Sequence, residues 1–448
     1  MNTLYLDPNE TMGVTDSESI QNAVDRAKEC GINKVVIPRY NARTDETVWV
    51  ISEAIKLPTG MTVVLDNCYL VMADGVMTNF FRNSNAYTAL ATKKEGKQYG
   101  ITIKGEGCAV LDGGTPNGLS EATSCLETRP HVSLNHPIFF INVEGFSVEN
   151  ITVSNQRYYG MRFEFCSRGR VRDIFTDVRC DRPNQGCVDV RCGCHDILIE
   201  NIHGQSGDDM VRLSALDVPE NGGYNFILED EAWDIRGISI RGVSGAAVGH
   251  SLVSIKAHNG ACIFNVTVDN LSDTDGTVAA LGGESERASL VSIGSNTDFA
   301  TRPAVMGEIS NISLSNIHTL YSTRAISLRG AVKNCHISNV HAAGMAKTVI
   351  SSSNGDATDV GVSLESVTVD GIYFSPAEKS GTRVVDFALM REGDYVKGLY
   401  VTGAHLEDVE AIAEIDEAVA ESVDIRTWAV LSGDEESMQT IITPREQD

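Results

Sequence analysis

The sequence predicts an all-β fold, a single right-handed parallel β-helix with a helix capping its amino end, and three observations lead there. Short runs of alternating apolar residues recur, each run ends at an Asn, Asp or Gly, and no helix-length apolar pattern lies between them. The bends fall at Asn150, Asp173, Asn201, Gly242, Asn270, Asn316, Asn339, Gly371 and Gly403, at intervals of 23 to 46 residues. A unit recurring every 20 to 50 residues or so marks a solenoid. Runs such as Ile197-Leu198-Ile199 and Val266-Thr267-Val268 place alternate side chains on opposite faces, as a half-buried strand does. Parallel strands joined by crossover helices would need a 3.6-residue apolar period between them. Short bends between short strands leave a coil as the solution.

A solenoid needs closed ends, because its terminal core and strand edge are otherwise bare. The cap is expected over 16–31, with Asp16 as N-cap, Ile20, Ala23, Val24 and Ala27 on one face, and Gly31 at the C-terminus. The long interval between Asn201 and Gly242 contains a turn-rich, acidic excursion, read as an insertion loop over 217–233. Toward the other end, 407–422 reads as a short acidic helix. The expected organisation is one domain over 1–434 followed by a loosely held tail, 435–448.

The chain has 448 residues, 42% of them hydrophobic and 22% charged, an ordinary globular composition. Its net charge of −25 repels phosphate backbones and no Lys/Arg run offsets it, so nucleic acid is not an expected partner. The amino end lacks a basic segment followed by an apolar stretch, and no apolar window approaches the roughly 18 residues of a membrane span. A cytoplasmic protein with no membrane partner is expected. Eleven Cys, an odd number scattered from Cys30 to Cys335, fit reduced thiols. Cys180, Cys187, Cys192, Cys194 and His195 invite a zinc reading, but no CxxC pair is present, and buried thiols filling a narrow core suit the pattern better. Neither a metal nor a cofactor is expected. Solenoid sides can pair, which allows a homo-oligomer, though nothing in the sequence specifies one.

The densest polar signal is SGDDMVRLS, with Asp208 and Asp209 adjacent and Arg212 three residues on. About one coil earlier, NQGCVDV carries Asn184 and Asp189. Strands one coil apart stack at roughly 4.8 Å, so Asp189 and the Asp pair are expected to share a groove. Both Asp can enter it only at a bend, which Ser206-Gly207 supplies. Further along lie His250 and Lys256. Carboxylates among His, Arg and Lys allow one acid to stay protonated and another ionised, as general acid–base catalysis requires. A lone Asp at a turn can equally cap backbone N–H groups. In the excursion, Tyr224 and Trp233 offer apolar faces on which a ligand ring could stack, or they anchor the loop.

Three segments resemble the polygalacturonase family of glycoside hydrolases, pectin-lyase-like right-handed parallel β-helices: TDSESIQNAVDRAKECGINKVVIP, PIFFINVEGFSVENITVSNQRYYGMRFEFCSRGRVRDI and SGDDMVRLS. The likeness covers roughly residues 16 to 300. It implies that Asp208 is the general acid, that Asp209 helps activate the attacking water and that His250 is an active-site His. Candidates for gripping a substrate carboxylate are Lys256, Arg287 and Arg212, none a clear match to the family's basic pair. Where the family has Asn-Thr-Asp this chain has Asn184-Gln185-Gly186, so one acid is missing and Asp189 is the nearest replacement. The implied function is an inverting glycosidase acting on an α-linked oligosaccharide, galacturonide-like or related. A lyase or uronate epimerase on the same scaffold is one alternative. A carbohydrate-binding protein that has lost catalysis is another, supported by the acid missing at Gly186.

Overall fold

The computed structural model describes residues 4–443 apart from 121–122, 124–129, 217–225, 227, 229, 275–288, 295–301, 354–360, 389–392, 418–420, 422, 429–430 and 433–439. They divide into two compact units, Met1–Gly207 with Pro219–Ala232 (unit 1) and Asp208–Val218 with Trp233–Asp448 (unit 2), each described by itself.

In unit 1 one parallel sheet runs through Lys34–Pro38, Thr62–Asp66, Thr102–Glu106, Ser147–Ser154, Ser167–Asp177 and His195–Ser206. A second runs through Ile55–Leu57, Phe81–Asn83, Ile138–Ile141, Met161–Glu164 and Val188–Arg191. Unit 2 repeats the scheme. One sheet follows Ile235–Ala247, Ile263–Asp273, Ile309–Thr319, Gly330–Gly344, Val362–Pro376, Tyr395–Leu406 and Val423–Trp428. The other follows Val211–Leu216, Val253–His258, Ser289–Gly294, Arg324–Leu328, Thr348–Ser351, Arg383–Phe387, Ala411–Asp416 and Thr440–Thr443. Successive strands alternate between sheets and pair one coil on, which is the parallel β-helix that the repeats predict. Its core is a set of stacked rows. Ile240, Val268, Leu314, Ile337, Val369 and Val401 are register partners from coil to coil, all at most 1% exposed. Burying each stabilises the fold by about 1.5–3 kcal/mol.

All nine bends lie in the left-handed region, with φ between 54° and 70°. Five residues before each stands a second left-handed position: Gly145, Arg168, Asp196, Gly237, Asn265, Asn311, Asn334, Ser366 and Gly398. The Asn side chains also bridge coils, Asn316 Nδ2 donating to Asp269 Oδ1 at 2.7 Å and Asn339 Nδ2 to Asn316 Oδ1 at 2.5 Å. Asn316→Ala is therefore expected to destabilise by about 1–2 kcal/mol for the left-handed backbone and about 1 kcal/mol more for lost hydrogen bonding. Asn316→Gly loses only the second part. Equal urea midpoints for the two variants would contradict the backbone argument.

The capping helix α1 spans Asp16–Glu29 and buries Ile20, Ala23, Val24 and Ala27. Its N-cap is Thr15 rather than Asp16: the Thr15 hydroxyl accepts from the Glu18 N–H at 3.1 Å. Asp16 is buried and accepts from Asn41 Nδ2 and the Val50 N–H instead. The acidic helix expected over 407–422 is absent, since Ala411–Asp416 forms a strand paired to Arg383–Phe387. There the ladder and the burial of Ala411, Ala413 and Ile415 override the helix preference of Ala and Glu. The tail is not wholly loose, because Thr440–Thr443 adds a strand beside Ala413–Asp416. The Cys cluster is core: Cys180, Cys187, Cys192 and Cys194 are fully buried. Burial pushes the Cys187 thiol up to about 12 and Cys194 well above the usual range. Among the described residues, no helix is long and apolar enough to cross a membrane.

Candidate active site

The strand Val211–Leu216 sends Val211, Leu213 and Ala215 into the core and Arg212 and Ser214 outward. Register places Arg212 beside Ser254 and Ser214 beside Lys256, so the basic residues share the outer face of the sheet. The Asp pair precedes this strand and folds back onto it. Arg212 Nη2 lies 2.7 Å from Asp208 Oδ1 and 2.8 Å from Asp209 Oδ2, spanning both carboxylates. Lys256 Nζ approaches Asp209 Oδ2 at 3.5 Å, and the Ser251 N–H donates to Asp209 Oδ1 at 3.0 Å. His250 Nδ1 lies 3.1 Å from Asp208 Oδ1.

Exposure separates these groups. Asp208 is fully buried and Asp209 is 3% exposed, whereas the His250 side chain is 46% exposed. The outer surface of the cluster is thus His250, with one ring nitrogen engaged by a buried carboxylate. Burial works against the charge of Asp209, but Lys256, Arg212 and His250 outweigh it and hold its carboxyl well below the usual range. Burial also pulls Lys256 down, with Asp209 opposing. Asp209 is therefore held in its ionised form.

One oxygen each of Asp208 and Asp209 and a nitrogen of His250 lie within 4.8 Å of one another. For a divalent ion the donors are the right kind, but Arg212 and Lys256 already neutralise the carboxylates, and a third cation would face both.

The structure brings together Asp208, Asp209, Arg212, His250 and Lys256, five of the sequence candidates. Trp233 is half-buried in unit 2, while Tyr224 and Arg287 lie outside the described residues. Two further groups adjoin the cluster: the charges of Arg329 and Lys256 help to depress His258, and Arg329 also depresses Lys256. The row Ser214, Lys256, Gly294 leads to Arg329, the residue just past the end of the next strand. A Cβ on Gly294 would meet the Arg329 carbonyl oxygen at 1.9 Å, so only Gly fits there. The available signal was parity, since Arg329 stands two residues after the outward-facing Ser327.

In unit 1, Asp189 is buried and its Oδ2 accepts from Arg191 Nε at 2.6 Å. Its register partner is Arg162, which pairs with the buried Glu164. The insertion loop contributes Phe226, whose N–H donates to Glu164 Oε2 at 2.9 Å and whose ring packs on Tyr87 and Phe139. Asn184 is half-buried at φ 62°, and the Gly186 carbonyl accepts from Gln156 Nε2 at 3.0 Å.

No protein-family model and no curated protein matches the sequence. Solved structures do. The hyperthermoactive exopolygalacturonase of Thermotoga maritima is similar with a TM-score of 0.53 at 13% identity, over 96% of this chain and 92% of that one. The A-module of the Azotobacter vinelandii mannuronan C-5 epimerase AlgE4 scores 0.54 at 13% identity, over 98% and 97%. The Family 28 exopolygalacturonase of Yersinia enterocolitica scores 0.54 at 10% identity, over 99% and 78%. With these exopolygalacturonases and this epimerase the chain shares the parallel β-helix fold.

Proposed function

We propose that the protein is a glycoside hydrolase cleaving α-linked oligosaccharides, galacturonide-like or related, with the Asp208–Asp209–His250 cluster as its reaction centre. One observation carries this reading: an ionised carboxylate, Asp209, sits beside a second carboxylate that orients a half-exposed His. Asp209 takes a proton from the attacking water, whose hydroxyl adds to the anomeric carbon. As the glycosidic bond breaks, the leaving oxygen takes a proton from the Asp208–His250 pair. His250, the exposed member of the pair, is the one that can reach the leaving oxygen, with Asp208 as its positioning residue at 3.1 Å from Nδ1. Because water displaces the leaving oxygen in a single step, the product is expected with inverted configuration at the anomeric carbon. Lys256, whose side chain is 16% exposed, is the cation that would meet an acidic substrate group.

His250→Gln is expected to lower turnover about 10² to 10⁴-fold and to remove the limb of the pH–rate profile on which the acid loses its proton. Asp208→Asn, with His250 in place, is expected to lower turnover, because the carboxylate that orients Nδ1 at 3.1 Å is lost. Unchanged turnover would remove Asp208 from the proton path. The substrate class is tested by incubation with defined α- and β-linked oligosaccharides, galacturonides included. Hydrolysis gives a new reducing end without ultraviolet absorbance.

A second reading, a lyase or C5 epimerase, is favoured by the exposure of His250 next to two cations, which suits abstraction of a proton beside a neutralised carboxylate. An unsaturated product, or an unchanged chain length with altered C5 configuration, would replace the hydrolase reading. Sugar binding with no product would point to a binding protein.

A further inference from the structure

Unit 1 holds a cavity of about 270 Å³ that the proposed reaction does not use. Its walls include Pro116, Arg157, Tyr158, Arg182, Pro183 and Asn184. Arg157 is 6% exposed, yet among the described residues no carboxylate pairs with it. Its Nη1 donates to the Val76 carbonyl at 2.6 Å and its Nη2 to the Ala73 carbonyl at 3.0 Å, while Nε is buried with no described partner. Arg182 is held in the same way, by the Asn155 carbonyl at 2.9 Å and the Gly114 carbonyl at 3.1 Å. Asp181 lies 3.4 Å from its Nε and is itself 42% exposed, and the half-buried Asp112 also favours its charge.

Two neighbouring guanidiniums without a buried counter-ion are an anomaly in a chain with 61 acidic and 36 basic side chains. Burial, then the charge of Arg182, pull Arg157 down to about 10, against the opposing charges of Asp74 and Asp112, neither of which is buried. An anion in the cavity would relieve both penalties. The carbonyl bonds fix the two planar forks and leave further N–H groups to donate, the arrangement that suits an oxyanion. The Asn184 side chain makes no hydrogen bond to a described residue, so its amide is available at the rim, and the rings of Pro116 and Pro183 supply exposed apolar wall.

We propose that this cavity is a subsite for an acidic sugar, its carboxylate or sulfate-like oxyanion taken by Arg157 and Arg182 and its ring set against the two prolines. The sugar rests on the functional reading above, whereas the oxyanion rests on the arginines alone. Calorimetric binding of galacturonate, galactose and sulfate is measured on the full chain carrying His250→Gln, so that turnover does not enter. Galacturonate is expected to bind at least tenfold more tightly than galactose, and Arg182→Met to erase that difference. Arg157 also anchors the Val76 and Ala73 carbonyls, so Asn184→Gly, which keeps the left-handed backbone, tests the rim separately with an expected three- to tenfold loss. Equal binding of galacturonate and galactose, or unchanged binding in Arg182→Met, overturns the subsite. Sulfate binding without galacturonate binding overturns its assignment to a sugar. Arginine-dependent galacturonate binding alongside a wild-type protein that hydrolyses nothing would sink the hydrolase reading and leave the subsite standing.

Discussion

Asp209→Asn is expected to be the most damaging single change at the site, lowering turnover about 10² to 10⁴-fold and stability by about 3–5 kcal/mol. The first loss follows from removing the ionised base. The second follows because the largely buried Lys256 loses the carboxylate that neutralises it and Arg212 keeps only Asp208, while Asn can still accept from the Ser251 N–H. A second change separates the two effects. Asp209→Asn combined with Lys256→Met removes the orphaned cation, so it should recover much of the stability in urea unfolding and stay inactive. Recovery of activity along with stability would make Asp209 a structural residue only.

Acid is expected to destabilise both units through buried histidines. His258, beside Lys256 and Arg329, is pushed down to about 3, chiefly by burial. His136 is fully buried, faces Arg162, Arg191 and His131, and is held well below its ordinary value, again chiefly by burial. Its ring stacks on Tyr159, and Nδ1 donates to the Tyr159 carbonyl at 3.1 Å. In the unfolded chain each titrates near 6.5, so below that pH the unfolded state binds the proton and the folded state does not. Stability is complete above about 6.5 and falls on acidification, by up to about 1.4 kcal/mol per pH unit for each histidine, through the window that reaches about 3 for His258. Asp209 does not add to this loss until the pH falls below about 3.9, its unfolded value. Urea midpoints at pH 7 and pH 5 check the slope, and equal midpoints would show that both histidines titrate normally.

The fold was legible because a coil imposes one local demand many times. A left-handed bend favours Asn, Asp and Gly, and those residues mark all nine positions. The second bend, five residues earlier, escaped notice since Arg168 and Ser366 occupy it in two coils and carry no such preference. The acidic segment at 407–422 misled for a related reason: in this strand Ala and Glu obey the ladder rather than their own propensity. At the site, Asp208, Asp209, Arg212, His250 and Lys256 could be gathered by counting coils. Arg329 could not, because it becomes a neighbour only when the register across Gly294 is known. Asp189 announced itself as an acid, but sequence does not show that Arg191, two residues on, points the same way and binds it.

The reaction centre itself is tested most directly by following reducing-end release from α-linked galacturonides and related oligosaccharides with the wild type, His250→Gln and Asp209→Asn side by side. The wild type should release reducing ends from at least one substrate, and both variants should be slower by at least about 10²-fold. Undiminished release by either variant would contradict the assignment of the cluster as the place where the bond is broken.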